Sequence, residues 1–415
     1  MAQLSNDCFA FGGALMSVDE ARALILERIA PVCGVERVPL LAADGRVLAE
    51  DVTAPLSLPN FDNSAVDGYA VRFADLRPEG DTDLPVSGRV AAGASGEGFA
   101  AGHAVRIFTG APMPEGFDTV FMQEDVRLEA GRVILPPGLK PGSNRRLAGE
   151  DLARGARALE AGRRLGPGEI ALLSGLGLPD VAVRAPLRVA VFSTGDEVVS
   201  PGEPLRPAGL YDANRFMLLA LLRRLGCAVT DLGILPDRQA AVSAAIAEAA
   251  RHHDLIVTSG GVSTGEEDHV KAAVDEAGAL TFWRLGIKPG RPVALGVVGG
   301  TPFIGLPGNP VAVFVTFVQV ARALVARLSG EAFAPPQPLP VEAGFAYRKK
   351  EGRREYVRVR LAREGARLVA RKHPREGAGV MTSLTETDGL VELREDVTRV
   401  EAGTLVGFIP YRLLV

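Results

Sequence analysis

The stretch Thr258 to Val270, TSGGVSTGEEDHV, brings small residues, hydroxyls and three consecutive acids (Glu266, Glu267 and Asp268) into thirteen positions. It follows the apolar run Leu255-Ile256-Val257 and precedes a helical pattern over Val270 to Ala277, so it reads as a turn at the carboxyl end of a buried strand. Backbone N–H groups at a helix start suit anions, and ligands of open α/β sheets collect at strand carboxyl ends. Acids beside such a cradle point to a divalent cation that shares the phosphate. An ordinary βα turn with a capping Asp accounts for the same residues, and the local pattern does not separate the two.

Other polar clusters have the same ambiguity. Pro55 to Asp75, PLSLPNFDNSAVDGYAVRFAD, packs Asn60, Asp62, Asn63 and Asp67 into turn-forming sequence before the strand Tyr69-Ala70-Val71. Lys140 to Asp151, KPGSNRRLAGED, sets Arg145 and Arg146 near Glu150 and Asp151. Paired arginines suit phosphate or carboxylate, and a surface salt-bridge cluster uses the same residues. Arg348, Lys349, Lys350, Arg353 and Arg354 form either a solvated basic face or an anion-contacting edge.

The elements that must position these groups follow from periodicity. Residues 186 to 330 alternate between strands and helices. The strands are Arg188 to Phe192, Ala228 to Leu235, Leu255 to Thr258, Leu280 to Leu285, Val293 to Val297 and Phe303 to Leu306. Between and after them lie helices over Ala213 to Leu225, Arg238 to Arg251 and Val270 to Ala277, and a long apolar one opened by Pro307-Gly308-Asn309-Pro310 and ending near Leu328. This alternation predicts a doubly wound, mainly parallel α/β sheet. Ser193-Thr194-Gly195-Asp196-Glu197, Asp237, Ser259 to Asp268, Lys288 and Pro307 to Pro310 all follow strands, so they should converge on one crevice.

Around it, short alternating runs over 54–149 and again over 341–415 predict separate small β domains. Residues 15–53 and 150–185 form a mixed linking domain, opened by a capping-box helix from Ser17 to Ile29. The α/β domain spans 186–332, and residues 331–340, EAFAPPQPLP, are a Pro-rich linker. Residues 1–14 read as a loose leader. A chain of 415 residues is too long for one core. A net charge of −4 gives no basic field for nucleic acid. Cys8, Cys33 and Cys227 imply neither a disulfide framework nor a zinc site. No signal peptide is apparent, and Gln319 and Arg322 interrupt the longest apolar segment, Val311 to Ala326. A cytoplasmic enzyme without membrane attachment is the expectation.

Eight stretches taken together carry a family resemblance. DNSAVDGYAVR (62–72), IFTGAPMP (107–114), NRRLAGED (144–151), FSTGDEV (192–198), TSGGVSTGEEDHVK (258–271), IKPGRP (287–292), GLPGNPV (305–311) and GRREYVR (352–358) resemble the molybdopterin molybdenumtransferases, the MoeA family, which includes the C-terminal domain of gephyrin. The resemblance runs from about residue 15 to 410. It implies insertion of molybdate into adenylylated molybdopterin with release of AMP, aided by Mg²⁺, in an elongated homodimer whose site is completed by the partner subunit. Molybdopterin adenylyltransferase and apo-molybdoenzymes would be its functional neighbours.

On this reading Glu197, Asp237 and Asp268 hold the cation, while Asp67 and Asp151 are acids brought from the β-domain side across the dimer. Ser259, Gly260 and Gly261, with Thr194, Gly195, Pro307, Gly308 and Asn309, cradle the pterin phosphate or nucleotide. Lys288 and Arg291 meet anions, Thr109 touches substrate, and Arg354 and Ser383 fit positions that contact molybdate. Where many members carry Lys after the strand Trp, this chain has Trp283-Arg284. That keeps a cation for anion holding and weakens a proton-transfer role. Two rivals remain at this stage. The adenylylating enzyme shares the SGG and PGNP turns but is a small single domain. A gephyrin-type scaffold need not keep the acids, yet Asp67, Asp151, Glu197, Asp237 and Asp268 are all present.

Overall fold

The computed structural model describes residues 15–94, 98–260, 269–290 and 292–414. At its centre is a six-stranded sheet in the order Ala228–Leu235, Arg188–Thr194, Leu255–Ser259, Thr301–Leu306, Pro292–Val298, Gly278–Arg284. The three pairings among the first four strands are parallel. The two at the other edge are antiparallel. Only Gly299 and Gly300, both at positive φ, link Val298 to Thr301, and so short a link permits a hairpin but no parallel crossover.

Both faces of this sheet are covered, which explains strands that read as continuous apolar runs. Val189, Val191, Leu255 and Val257 face the helices Ala213–Arg224 and Pro310–Leu328. Ala190, Phe192 and Ile256 face the helices Gln239–His252 and His269–Ala277. The chain leaves the neighbouring strands Arg188–Thr194 and Leu255–Ser259 toward opposite faces. A crevice therefore opens between their carboxyl ends.

The helix Pro310–Leu328 has the length and apolarity of a membrane span, but 89% of it is buried inside the protein, as a core helix is. Its middle, Phe317–Ala321, is a π-helical turn. Such a turn leaves a carbonyl without its usual partner, and Arg22 Nε donates to Gln319 O at 2.7 Å. Arg22 belongs to the N-terminal helix Val18–Arg28, whose capping box is formed: Glu20 N donates to Ser17 Oγ at 3.1 Å and Ser17 N to Glu20 Oε2 at 2.8 Å.

This helix packs away from the rest of the linking domain. Met16, Val18, Ala21, Ile25 and Ile29 pack into the core of the α/β sheet, while the core of the linking domain is built from Leu48, Leu159, Leu165, Leu173, Val181 and Val183. Ser17→Ala should cost about 1 kcal/mol of local stability. Hydrogen exchange should show faster exchange of the helix's first-turn amides, with those of the central sheet unchanged.

The β domain is a six-stranded sheet in the order Thr119–Met122, Gly68–Val71, Ala104–Ile107, Thr82–Val90, Arg132–Leu135, Arg127–Glu129. In the C-terminal domain the strands Arg354–Glu364, Arg367–Lys372, Leu339–Ala343, Leu405–Pro410 and Gly389–Leu393 pair in turn, and the last pairs back to the first, closing a small barrel. One further strand, Ile287–Lys288, reaches it from the α/β domain and pairs in parallel with Arg354-Glu355.

Candidate functional site

The crevice at the sheet edge encloses about 590 Å³. Of the residues expected there, Thr194, Gly195, Glu197, Asp237, Ser259, Gly260, Gly308 and Asn309 line it. Each is placed by a strand end. Ser259 Oγ donates to Pro307 O at 3.0 Å and so ties two strand ends together, giving Pro307 a supporting part. Gly195 has φ +124, and a Cβ there would lie 2.7 Å from Glu197 Oε2, so the glycine leaves room for the acid to fold back.

Sequence reasoning missed Asn214. Its Nδ2 donates to Ser259 Oγ at 2.9 Å and to Gly308 O at 2.6 Å, joining the start of the helix Ala213–Arg224 to both loops. The available signal was an amide two positions after Asp212, the helix N-cap. Asn214 Oδ1 and the buried Ser193 Oγ have no hydrogen-bond partner among the described residues, an arrangement suited to a polar ligand.

Glu197 and Asp237 form no ion pair among the described residues. They offer hard oxygen donors, which suits Mg²⁺. No three His, Cys, Asp or Glu side chains come together tightly enough to hold a metal among those residues, so the pair would need a third donor. Asp268, Gly261 and Arg291 lie outside the described residues.

A second cavity of about 200 Å³ lies between the α/β domain and the barrel. Lys288 lines it, with Tyr347, Glu355, Arg358, His373 and Ala378 among its other walls. Here the structure corrects the expectation for Arg354. That guanidinium is 3% exposed and spent internally: it donates to Asp19 Oδ1 and Oδ2 at 3.0 and 2.6 Å and to Glu395 Oε2 at 3.0 Å. Its Nε also donates to Glu395 Oε1 at 3.0 Å, so its charge is already matched by carboxylates and it lines neither cavity.

Arg358, four residues on, is 8% exposed and makes no ion pair among the described residues. Its Nε donates to Ser383 Oγ at 3.1 Å and its Nη2 to Gly377 O at 3.2 Å. Burial pulls its pKa below that of an ordinary arginine. Glu376, on the same cavity wall, favours the charge from a distance without pairing with it, and a buried guanidinium with no direct ion pair gains from an anion that joins it. Ser383 itself is fully buried and serves by orienting Arg358.

The two cavities adjoin. Gly377 and Ala378 line the second, and Met381 lines the crevice. Val311 N, just past the crevice residues Gly308 and Asn309, donates to Ala378 O at 2.9 Å. Gly290 permits this packing: a Cβ there would lie 2.3 Å from Thr316 Oγ1 of the core helix.

The remaining expected residues line neither cavity within the chain. Asp67 Oδ1 accepts from Thr109 N and Thr109 Oγ1, both at 2.8 Å, and those bonds hold its carboxyl below the usual carboxylate range. Asp151 is exposed on the β-domain side, and Arg284 is exposed at the end of its strand. Arg145 pairs with Asp62, whose other oxygen accepts from Ala148 N at 2.7 Å, so the DNSAVDGYA and NRRLAGED stretches brace each other.

An open α/β sheet with a polar crevice at its switch point, beside a second cavity under a small barrel, defines an α/β protein with auxiliary β domains and its candidate site at the strand ends. Residues 16–177 match the MoeA N-terminal region (domain I and II), 190–327 a probable molybdopterin binding domain, and 340–411 the MoeA C-terminal region (domain IV). The molybdopterin molybdenumtransferase of Haemophilus influenzae is 38% identical over 404 residues, covering 96% of this chain and 100% of that protein. Molybdopterin molybdenumtransferase 2 of Mycobacterium tuberculosis is 35% identical over 402 residues, covering 94% and 98%. The crystal structure of the MoeA protein of Pyrococcus horikoshii OT3 superposes with a TM-score of 0.81 at 28% identity, over 96% of this chain and 100% of that one. The chain belongs to the molybdopterin molybdenumtransferase family.

Proposed function

We propose that this chain inserts molybdate into adenylylated molybdopterin, with release of AMP, the pterin nucleotide lying in the crevice and molybdate in the adjoining cavity. The observation that carries the reading is Arg358: a buried cation that makes no ion pair among the described residues, in a cavity one short segment away from a crevice lined with hydroxyls and acids. The adenylylating rival has little support from a chain that matches family domains on both sides of its α/β unit.

Within this proposal Glu197 and Asp237, with Asp268, hold Mg²⁺. The bound ion would offset charge on the phosphoanhydride. Asp67, Thr109 and Asp151 act from a second copy of the chain, because within one copy they sit away from the crevice. The protein works in the cytoplasm as a homodimer, receives its substrate from molybdopterin adenylyltransferase and supplies apo-molybdoenzymes.

The test is AMP release from purified adenylylated molybdopterin with Mg²⁺, with and without molybdate. Molybdate-dependent release, yielding a product that activates a cofactor-free molybdoenzyme, is expected. ATP consumption with free molybdopterin would overturn the reading. Asp237→Asn should reduce AMP release at least about 100-fold without lowering the thermal midpoint, and wild-type turnover would remove that acid from the reaction.

A further inference from the structure

Lys288 reaches the second cavity on a strand of two residues, held in parallel register against the barrel with Lys288 opposite Glu355. Its ammonium has three N–H donors. One goes to Glu355 Oε2 at 3.0 Å and another to the Tyr347 hydroxyl oxygen at 3.2 Å. Tyr347 donates its own proton to the same Glu355 oxygen at 2.8 Å. The three groups close a triangle, and Glu355, 2% exposed, is shielded from bulk solvent at the cavity wall.

The lysine side chain is 49% exposed, and without this triangle its head would be a freely swinging point charge. Burial opposes its charge, and the bonds to Glu355 and Tyr347 outweigh that opposition. With two donors occupied, the third has no partner among the described residues, and Lys288 lines the cavity.

We propose that Glu355 and Tyr347 are positioning residues that aim the third N–H of Lys288 at an oxyanion in the cavity, making this lysine a directional donor alongside Arg358. The inference rests on the reading of that cavity as the molybdate site. Glu355 offsets the charge of Lys288, and Lys372 is paired with Glu376. The cavity therefore selects by where its donors point more than by accumulated charge. A tetrahedral oxyanion has separate oxygens for separate donors; a halide does not.

The test uses the full chain and sodium molybdate. Glu355→Ala should raise the KM for molybdate about tenfold, the loss of one bond to a charged group. The kcat at saturating molybdate and the KM for adenylylated molybdopterin should stay near wild type. Glu355→Gln keeps an acceptor oxygen and should recover most of the loss. Tyr347→Phe, which leaves Glu355 in place, should raise the same KM about threefold.

An unchanged molybdate KM in Glu355→Ala, no recovery with glutamine, or a parallel fall in kcat would overturn the proposal. If Glu355→Ala has a lowered thermal midpoint, Tyr347→Phe decides. If the wild type shows no molybdate-dependent AMP release, the reading of the function fails. Calorimetric titration with molybdate then tests the positioning alone: weaker binding in both variants supports it, and unchanged binding overturns it.

Discussion

Arg358→Ala is expected to raise the KM for molybdate by about 30- to 100-fold. Two charge-assisted hydrogen bonds to an oxyanion contribute about 2–3 kcal/mol, and each 1.4 kcal/mol is a factor of ten. Arg358→Lys should recover only part of this, because a point charge cannot replace a planar fork held by Ser383 and Gly377. The informative companion is stability. Arg358 is buried without a counter-ion among the described residues, so removing it in the absence of anion relieves a desolvation penalty. The ligand-free variant should melt no lower than wild type, and molybdate should stabilise wild type but not the variant. A variant that melts lower yet keeps the wild-type molybdate KM would make Arg358 a structural arginine and leave the cavity without its anion.

Much of this was readable from the sequence. Strands ending in Thr194, Ser259 and Leu306 are apolar runs closed by small and hydroxyl residues, and that pattern alone placed the crevice. The capping box at Ser17 and Glu20 marked a helix start. What that helix packs against was not readable, because periodicity shows that a face is buried and not which surface covers it.

The choice between Arg354 and Arg358 had the same origin. Four residues apart on one strand, they share a face, so strand parity cannot separate them. The discriminating partner of Arg354 is Asp19, 335 residues away in sequence. Asn214 was hidden for a similar reason: its function is to join Ser259 to Gly308, two loops that meet only in the folded sheet. The antiparallel edge went unread, although Gly299-Gly300 between two apolar runs is a hairpin signal.

Arg354→Ala should have the opposite signature to Arg358→Ala. Arg354 is the centre of a buried ion cluster in which Asp19 and Glu395 accept its hydrogen bonds and Glu392 Oε2 lies 3.7 Å away. Glu392 also accepts from the buried Tyr356 hydroxyl at 3.0 Å, so it cannot readily turn out to water. Deleting the cation leaves Glu392 and Glu395 close together in a site built for a positive charge. Breaking a buried pair in this way costs about 3–5 kcal/mol. It also unties the N-terminal helix from the barrel, since Asp19 is that helix's link to Arg354.

In a chain of several domains the loss should appear as earlier urea unfolding of the barrel, read by hydrogen exchange, rather than as one shifted transition. Asp19→Asn should cost far less, because Asp19 is itself half-exposed and leaves Arg354 with Glu395. A double-mutant cycle between the two positions then separates the tether from the stranded carboxylates. If Arg354→Ala costs no more than Asp19→Asn, the stranded carboxylates carry no penalty and the cluster is only a tether. If it is instead the costlier change and leaves the molybdate KM unaltered, the two arginines of one strand divide the work, one holding the barrel to the rest of the chain and the other waiting for the anion.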